Sequence, residues 1–219
     1  MKAIGLLGGT FDPIHQGHLA IALAALSRLQ LDQVRLLPCR LPPHRNRPQL
    51  SSDQRAQLIH LAAQPHAVLA LDDRELKRQG PSYTVDTLRS LRQDLGQQVN
   101  LVWIMGMDAF VQLESWYQWQ DLSRLAHLAV MQRPGYQGAR LPLAAEPLSP
   151  ESLVEFHQKP FGKVLLMDQP QMDISATDIR QALAQGQLPK TLPASVLDYI
   201  VENRLYNFIA TTDTTEFDD

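Results

Sequence analysis

The sequence contains a single cysteine, Cys39, among its 219 residues. An internal disulfide is therefore excluded, and so is a zinc site built from four cysteines. A chain this poor in cysteine suits a reducing compartment. No stretch approaches the roughly 18 apolar residues of a membrane span, and the apolar run after Lys2 is too short for a signal sequence. We therefore expect a cytoplasmic protein with no membrane partner.

The sequence also lacks a large excess of charge of either sign. It has 20 basic and 23 acidic residues, which gives a net charge of −3. A global positive field that would attract a nucleic-acid backbone is absent, so we expect no nucleic-acid partner. Small anionic ligands need only a local cluster of donors and remain compatible with this composition. No acidic cluster suited to a metal site built by the protein itself is visible, so we expect none.

What the sequence does contain is an alternating α/β pattern. Short runs rich in Val, Ile and Leu alternate with longer helical patterns, which predicts parallel strands covered by helices on both faces. The predicted strands are residues 3–7, 34–37, 68–71, 99–105, 128–131 and 164–167. The predicted helices are residues 18–29, 51–64, 84–95, 177–184 and 196–205. The first helix is almost wholly apolar, so we expect it to be buried.

Two segments depart from this pattern. Residues 133–150 are dense in proline and glycine, which predicts a surface loop. Residues 207–219 are acidic and rich in threonine, and we expect a disordered tail there. Neither an internal repeat nor a convincing domain boundary is visible. The simplest interpretation is one α/β domain over residues 1–206.

The first predicted strand runs into a glycine-rich segment with the sequence GGTFDPIHQGH, residues 8–18. Gly8 and Gly9 let backbone N–H groups approach a ligand closely, and the helix start that follows adds free N–H donors for an anion. His15 and His18 bracket that helix start, so both imidazoles can face the same anion. We expect Pro13 to fix a turn in which Asp12 accepts local N–H bonds. A histidine metal pair is disfavoured because no third ligand accompanies it.

A second segment with anion-binding character is ISATDIR, residues 174–180. Ser175 or Thr177 is a natural helix cap, and Asp178 is favourable in a first helical turn. Arg180 falls near the same helix start and offers several donors to phosphate oxygens. Taken alone, this segment is explained better by a plain capped helix that carries a surface arginine.

Together the two segments resemble the two ATP-binding signatures of the nucleotidylyltransferase superfamily, (H/T)-x-G-H and I-S-x-T-x-x-R. Further blocks are similar to bacterial nicotinate mononucleotide adenylyltransferases: PPHR at 42–45, PSYTVDTL at 81–88, GMD at 106–108 with Trp116, and the ending at 196–206. The resemblance extends over five ordered blocks from Lys2 to Tyr206. One departure follows Pro38, where the family often has asparagine and this chain has Cys39 and Arg40. The resemblance leaves open whether Arg40 substitutes for that asparagine.

The resemblance implies a Rossmann-like, doubly wound parallel sheet of the nucleotidylyltransferase type in a single domain. In such sheets ligands bind at the carboxyl ends of the strands where strand order reverses, here between the first and fourth strands. The implied ATP-binding residues are Gly8, Gly9, Thr10, Phe11, His15, His18, Gly106, Asp108, Ser175, Thr177 and Arg180. Of these, the resemblance assigns catalysis to His15, His18 and Arg180. Asp108 has a second interpretation, as the N-cap of a helix.

The implied acceptor-binding residues are His44, Arg45, Tyr83, Thr84 and Trp116. The basic pair would face the acceptor phosphate, and the backbone near Tyr83 would face the pyridine carboxylate. Trp116 and Trp119 are three positions apart, which predicts one shared helical face. We expect a ligand role for Trp116 and a core role for Trp119.

The reaction that the resemblance implies is adenylyl transfer from ATP to nicotinate mononucleotide, which yields deamido-NAD and pyrophosphate in NAD biosynthesis. Mg²⁺ would be carried with the ATP. Close alternatives are nicotinamide mononucleotide adenylyltransferase and phosphopantetheine adenylyltransferase, although the latter proteins are shorter and lack the PSYTVDTL block. A non-catalytic nucleotide-sensing module is an alternative of another class, since fold does not dictate function. A homo-oligomer remains open.

Overall fold

The hydrophobic runs of the sequence form a central sheet of seven parallel strands. The computed structural model describes residues 1–42, 47–132, 140–168, 172 and 174–209. The strands are β1 (Ala3–Gly9), β2 (Gln33–Pro38), β3 (Leu69–Leu71), β4 (Asn100–Gly106), β5 (His127–Gln132), β6 (Glu146–Pro147) and β7 (Val164–Asp168). Their order in the sheet is β3-β2-β1-β4-β5-β7-β6, and every pairing is parallel.

Helices connect these strands and cover both faces of the sheet. They are α1 (Gln16–Arg28), α2 (Ser52–Ala63), α3 (Arg74–Lys77), α4 (Thr84–Leu95), α5 (Met107–Val111), α6 (Leu122–Leu125), α7 (Pro150–Gln158), α8 (Ala176–Ala184) and α9 (Ala194–Glu202). Short 3-10 turns occur at Leu113–Ser115, Trp119–Asp121 and Leu205–Asn207. Helix α2 was predicted over residues 51–64, and it begins after a capping box that Ser51 and Gln54 form.

Successive residues of each central strand enter opposite cores. In β4, Val102 and Ile104 belong to one hydrophobic cluster, whereas Trp103 and Met105 belong to the other. We call these the first and the second core cluster. Such alternation requires a sheet that is covered on both faces, so the predicted doubly wound architecture is confirmed.

Strand order reverses between β1 and β4. The chain leaves β1 toward β2 and β3 on one side, and β4 leads to β5 and β7 on the other. At their carboxyl ends Gly9 of β1 pairs with Pro38 of β2, and Gly106 of β4 pairs with Met131 of β5. The glycine ends of two adjacent strands therefore open the crevice that the sequence predicted.

Three expectations about the elements were wrong in part. Helix α1 is buried along one stripe (Gly17, Leu19, Ala22 and Ala25), because only that side faces the sheet. Residues 133–139 of the predicted 133–150 loop lie outside the described residues, but the rest contains β6 and the start of α7. Strand β6 is too short to show a periodicity, and Pro150 begins α7, since proline suits the first helical position. Helix α9 ends at Glu202, before the left-handed residue Arg204 (φ 50°).

The C-terminal segment folds slightly beyond the predicted boundary at residue 206. Phe208 is buried in the first core cluster and Ile209 is exposed. The remainder of the predicted tail, residues 210–219, lies outside the described residues. Over the described ranges, no helix is long and apolar enough to cross a membrane.

Candidate functional site

Gly8, near the end of β1, is half-buried and has a packing role. A Cβ at Gly8 would lie 2.6 Å from Cζ2 of Trp103, which is buried in the adjacent strand β4. Any larger residue at position 8 would displace that indole. The packing of Trp103 is therefore a reason for glycine here that the sequence did not reveal.

At the end of β4, the carboxylate of Asp108 lies directly over Gly106. A Cβ at Gly106 would clash with Oδ1 of Asp108. Gly106 itself occupies the N-cap position of α5, and Asp108 is the second residue of that helix. The interpretation of Asp108 as an N-cap is therefore wrong. Its half-buried carboxylate remains at the carboxyl end of the sheet, where the sequence placed it.

The two histidines of the first signature stack on each other at the start of α1. Their ring centroids are 3.8 Å apart, with 29° between the ring planes. The backbone N–H of His15, the N-cap residue, donates to Nδ1 of His18 over 3.3 Å. Because Nδ1 of His18 accepts, a neutral His18 ring carries its proton on Nε2. The buried ring of Phe11 packs edge-on against His18, with centroids 4.9 Å apart, so Phe11 contributes packing through its side chain.

His15 is a neutral imidazole at physiological pH. Only 7% of its surface is exposed, and burial lowers its pKa to about 4. Its Nδ1 has no hydrogen-bond partner within the described part of the chain. Gly17 makes room for the ring, since a Cβ there would lie 3.1 Å from Nδ1 and Cε1 of His15. The ring is therefore positioned by packing, and it can act as a neutral hydrogen-bonding group.

A second buried histidine lies away from this site. The ring of His127 has Nε2 2.9 Å from the carbonyl of Lys159, and its Nδ1 accepts from the backbone N–H of Lys163. These partners place the ring proton on Nε2. Burial lowers the pKa of His127 to about 4, so this ring is also neutral. His60 is exposed, and a ring nitrogen of His157 lies 3.1 Å from the backbone carbonyl of Leu29.

We expect His15 and His127 to make the protein less stable in mild acid. The folded state resists protonation of both rings, whereas the unfolded chain binds those protons at a pKa near 6.5. The contribution of these two neutral rings to the free energy of unfolding is therefore fully present above pH 6.5, and it is lost as the pH falls toward 4. From pH 7 to pH 5 each ring should lower the free energy of unfolding by about 2 kcal/mol, measurable by urea denaturation.

His127→Gln provides the control, because glutamine does not titrate. Its free energy of unfolding should fall by about 2 kcal/mol less over the same pH interval than that of the unmodified protein. An equal fall in both proteins would contradict the assignment of a neutral, buried His127.

The second signature caps helix α8 and directs an arginine back to the first signature. Oγ of Ser175 accepts from the backbone N–H groups of Thr177 and Asp178, so Ser175 is the cap. Nη1 of Arg180 donates to the backbone carbonyl of Asp12 over 2.7 Å, and Nη2 contacts Oγ1 of Thr177. The two signatures, 168 positions apart, therefore make direct contact.

The carboxylate of Asp12 binds distant partners, so the expectation of local N–H bonds was wrong. The backbone N–H of Gln49 donates to Oδ2 over 2.7 Å, and that of Leu50 lies 3.4 Å from Oδ1. The hydroxyl of Tyr206, near the C-terminus, donates to Oδ1 over 2.7 Å. The turn at Asp12 points the carboxylate into the protein, where the start of α2 and the C-terminal segment meet it.

Arg55 is a buried component that the sequence analysis missed. It is 1% exposed, and Nη1 donates to the carbonyls of Thr10 and Cys39, both over 2.8 Å. One guanidinium thus joins the segments that follow β1 and β2. The signal was present in the sequence, because Arg55 lies on the same helical stripe as the buried residues Leu58 and Ile59.

Two of the candidate acceptor-binding residues, Tyr83 and Thr84, lie at the start of α4. Tyr83 is the N-cap residue and Thr84 is the first helical residue. The Tyr83 ring packs on the exposed ring of Tyr117, with centroids 4.6 Å apart. His44 and Arg45 lie outside the described residues. Arg40, the candidate substitute for the family asparagine, donates through Nη1 to the carbonyl of Arg78 and through its backbone N–H to Ser82.

The buried carboxyl group of Glu75 belongs to a hydrogen-bonded cluster that supports the start of α4. The hydroxyl of Thr87 donates to Oε1 of Glu75 over 2.6 Å, and Nη2 of Arg78 donates to Thr87 and to the carbonyl of Tyr83. Burial raises the pKa of Glu75. The cluster fixes the backbone on which Tyr83 and Thr84 lie, and it had no recognisable sequence signal.

Trp116 and Trp119 do not share a helical face. Trp116 has an extended backbone after a 3-10 turn, and Gln118 is left-handed before Trp119 begins the next turn. The expected helical spacing fails because the chain changes direction between the two residues. Both indoles are half-buried and pack against the second core cluster, so a core contact is confirmed for Trp119 and is shared by Trp116.

Within the described ranges, no three His, Cys, Asp or Glu side chains are grouped so that they could hold a metal ion. The buried guanidinium of Arg55 donates to backbone carbonyls after β1 and β2, whereas the guanidinium of Arg180, which contacts the segment after β1, is only half-buried. Arginine donors of this kind suit an anionic ligand that presents phosphate oxygens.

The sheet is Rossmann-like, and hydrogen-bond donors suited to an anion lie where its strand order reverses. These two features define a nucleotidyltransferase-type α/β protein. Residues 6–182 match the family model described as Cytidylyltransferase-like. A Cellvibrio japonicus (strain Ueda107) protein named "Probable nicotinate-nucleotide adenylyltransferase" is 44% identical over 209 residues, which cover 93% of this chain and 98% of the relative. An Aeromonas salmonicida (strain A449) protein of the same name is 45% identical over 207 residues, which cover 93% of this chain and 96% of the relative.

A solved structure shows the same fold. It is described as Plasmodium falciparum nicotinic acid mononucleotide adenylyltransferase complexed with NaAD, and it matches with a TM-score of 0.72 at 18% identity. The match covers 95% of this chain and 99% of that chain. The chain belongs to the cytidylyltransferase-like family and, within it, to the nicotinate-nucleotide adenylyltransferases.

Proposed function

We propose that this chain transfers the adenylyl group of ATP to nicotinate mononucleotide, forming deamido-NAD and releasing pyrophosphate. The observation that carries the proposal is the contact between the two signatures, in which Arg180 donates to the backbone of Asp12 beside the stacked pair His15 and His18. A triphosphate is the ligand that suits such a convergence of donors at one helix start. The names of the relatives supply the acceptor.

On the ATP side, each group has a role that follows from its geometry. The backbone at Gly8, Gly9 and Thr10 and the start of α1 would bind phosphate oxygens, and Ser175 and Thr177 would flank them from α8. Gly106 would admit the adenosine, with Asp108 accepting from a ribose hydroxyl. The ring of Phe11 is buried, so a contact from Phe11 to ATP would use its backbone.

The transfer itself requires positioning and charge stabilisation. An oxygen of the mononucleotide phosphate forms a bond to the α-phosphorus of ATP, and the bond from that phosphorus to the bridging oxygen of pyrophosphate breaks. The nucleophile is already an anion, so no general base is needed. Nε2–H of His18 and the guanidinium of Arg180 would stabilise the charge that develops on the phosphate oxygens.

Mg²⁺ is proposed to enter as part of the substrate, bound to the phosphates of ATP. Such a cation keeps several waters and needs few protein ligands. The donors at this site are imidazole, guanidinium and backbone N–H groups, which suit the phosphate oxygens of the complex better than the cation itself.

On the acceptor side, the start of α4 is suited to a carboxylate. Free backbone N–H groups in the first turn, near Tyr83 and Thr84, can receive the carboxylate of the pyridine ring. Trp116 is proposed to stack on that ring. His44 and Arg45 are proposed to meet the acceptor phosphate. We further propose a cytoplasmic location and a single catalytic domain that comprises residues 1–206 and the buried Phe208 that follows them.

Trp116→Ala should raise the KM for nicotinate mononucleotide about tenfold, the usual size of a lost stacking contact, and leave the KM for ATP unchanged. Trp119→Ala is the matched control, because Trp119 is also half-buried against the second core cluster. The control should lower stability without changing either KM. Equal rises of both KM values in Trp116→Ala would assign Trp116 to the core alone.

Pyrophosphate release tests the proposed function. The protein is incubated with MgATP and, in separate reactions, nicotinate mononucleotide, nicotinamide mononucleotide or phosphopantetheine. The highest kcat/KM is expected with nicotinate mononucleotide. Preference for either other acceptor would replace the assignment of substrate, and release with none of them would support a nucleotide-sensing module.

A further inference from the structure

The C-terminal turn has an unusual backbone that directs one side chain into the functional site. Arg204, Tyr206 and Asn207 are all left-handed, with φ of 50°, 58° and 57°, a conformation that non-glycine residues rarely adopt. Leu205, within the turn, and Phe208, which follows it, are both buried in the first core cluster. Strained backbone of this kind persists where the surrounding structure requires it.

The side chain that this backbone orients is Tyr206, which is 6% exposed. Its hydroxyl donates to Oδ1 of Asp12 over 2.7 Å, across 194 positions of sequence. Burial and the negative charge of Asp12 raise the pKa of Tyr206, so the hydroxyl keeps its proton and remains a donor at any working pH. A buried charge-assisted hydrogen bond of this length is among the stronger ones in proteins.

Asp12 connects this bond to Arg180. The carboxylate of Asp12 receives Tyr206, while its backbone carbonyl receives Nη1 of Arg180 over 2.7 Å. Among the described residues, the Arg180 guanidinium has two hydrogen-bond partners. Thr177 lies on the same helix as Arg180, α8, so Asp12 is the partner outside that helix. A displacement of Asp12 therefore moves the anchor that sets where the guanidinium lies.

We infer that Tyr206 is a positioning residue for adenylyl transfer, which acts through Asp12 to hold the Arg180 guanidinium where the triphosphate binds. The inference rests on the proposed function. Tyr206 itself is buried beneath Asp12 and is not assigned a contact with substrate. It links the end of the folded chain to the first and second signatures, which explains why the turn at residues 204–207 adopts its strained form.

Tyr206→Phe removes the hydroxyl and retains the ring. We expect kcat to fall about tenfold, as for a modest misplacement of a reacting group, with both KM values within about twofold of the unmodified protein. The discriminating measurement is a double-mutant cycle with Arg180→Met. If Tyr206 acts through Arg180, adding Tyr206→Phe to Arg180→Met should lower kcat by less than about twofold further.

Tyr199→Phe is the matched control, because the hydroxyl of Tyr199 makes no hydrogen bond to any described residue. Its kcat should equal that of the unmodified protein. A tenfold loss of kcat from Tyr206→Phe in both backgrounds would indicate a general structural role and overturn the inference while leaving the proposed function intact. Unchanged kcat in Tyr206→Phe would also overturn it. Absence of turnover in the unmodified protein would overturn the proposed function, and the inference with it.

Discussion

His18→Ala is expected to lower kcat by about 10²–10³-fold, the usual cost of removing one donor to transition-state charge. Nδ1 of His18 accepts from the backbone N–H of His15, so a neutral ring carries its proton on Nε2, which can donate. The ring is held between His15 and Phe11, so its position is fixed before substrate arrives. The measurement is kcat at saturating ATP and nicotinate mononucleotide.

The variant His18→Asn separates two roles of His18. One is donation from Nε2 to the substrate, and the other is acceptance from the backbone N–H of His15 at the start of α1. The asparagine side chain can accept from the His15 N–H in place of Nδ1, but it has no group at the position of Nε2. Its kcat should fall as far as that of the alanine variant, while its stability should remain closer to that of the unmodified protein. His60→Ala, an exposed change on α2, should leave kcat unchanged. A near-normal kcat in His18→Asn would remove the donor role.

Arg55→Met is expected to have the largest effect on stability. The change deletes two charge-assisted hydrogen bonds, to the carbonyls of Thr10 and Cys39, in a position that is 1% exposed. Methionine fills much of the space but leaves both carbonyls without this partner. The free energy of unfolding should fall by about 3 kcal/mol, measured by urea denaturation at pH 7.5.

Arg89→Met is the matched control, because Arg89 forms a partly exposed ion pair with Asp121. Exposed pairs of this kind contribute about 1 kcal/mol or less, so this variant should be nearly as stable as the unmodified protein. If Arg55→Met were no less stable than Arg89→Met, the two buried hydrogen bonds would not stabilise the site as described.

The parallel sheet could be predicted because its signals are local, whereas the reversal of strand order was implied by the family resemblance. Parallel strands buried on both faces appear as uninterrupted apolar runs, such as the one that forms β4. Capping also acts over three or four residues, so Ser51 was recognisable as a helix start and Ser175 as one of two candidate caps. The family resemblance then placed Gly8 and Gly106 on neighbouring strands, and the pairing of β1 with β4 agrees with this.

The parts of the site that could not be predicted depend on single contacts across long sequence distances. Nothing near Asp12 indicates that its carboxylate would meet Tyr206, because one hydrogen bond leaves no periodicity in the sequence. The spacing of Trp116 and Trp119 suggested a helix, whereas a left-handed residue between them breaks it. His44 and Arg45 remain predictions of the family resemblance.

The most direct test of the central claim follows the phosphate oxygens of the acceptor. Nicotinate mononucleotide labelled with oxygen-18 in its phosphate is incubated with unlabelled MgATP, and both products are analysed by mass spectrometry. Adenylyl transfer to the acceptor phosphate predicts a deamido-NAD that retains all the label and a pyrophosphate that carries none. Label in the pyrophosphate, or ATP consumption without any dinucleotide, would contradict this account.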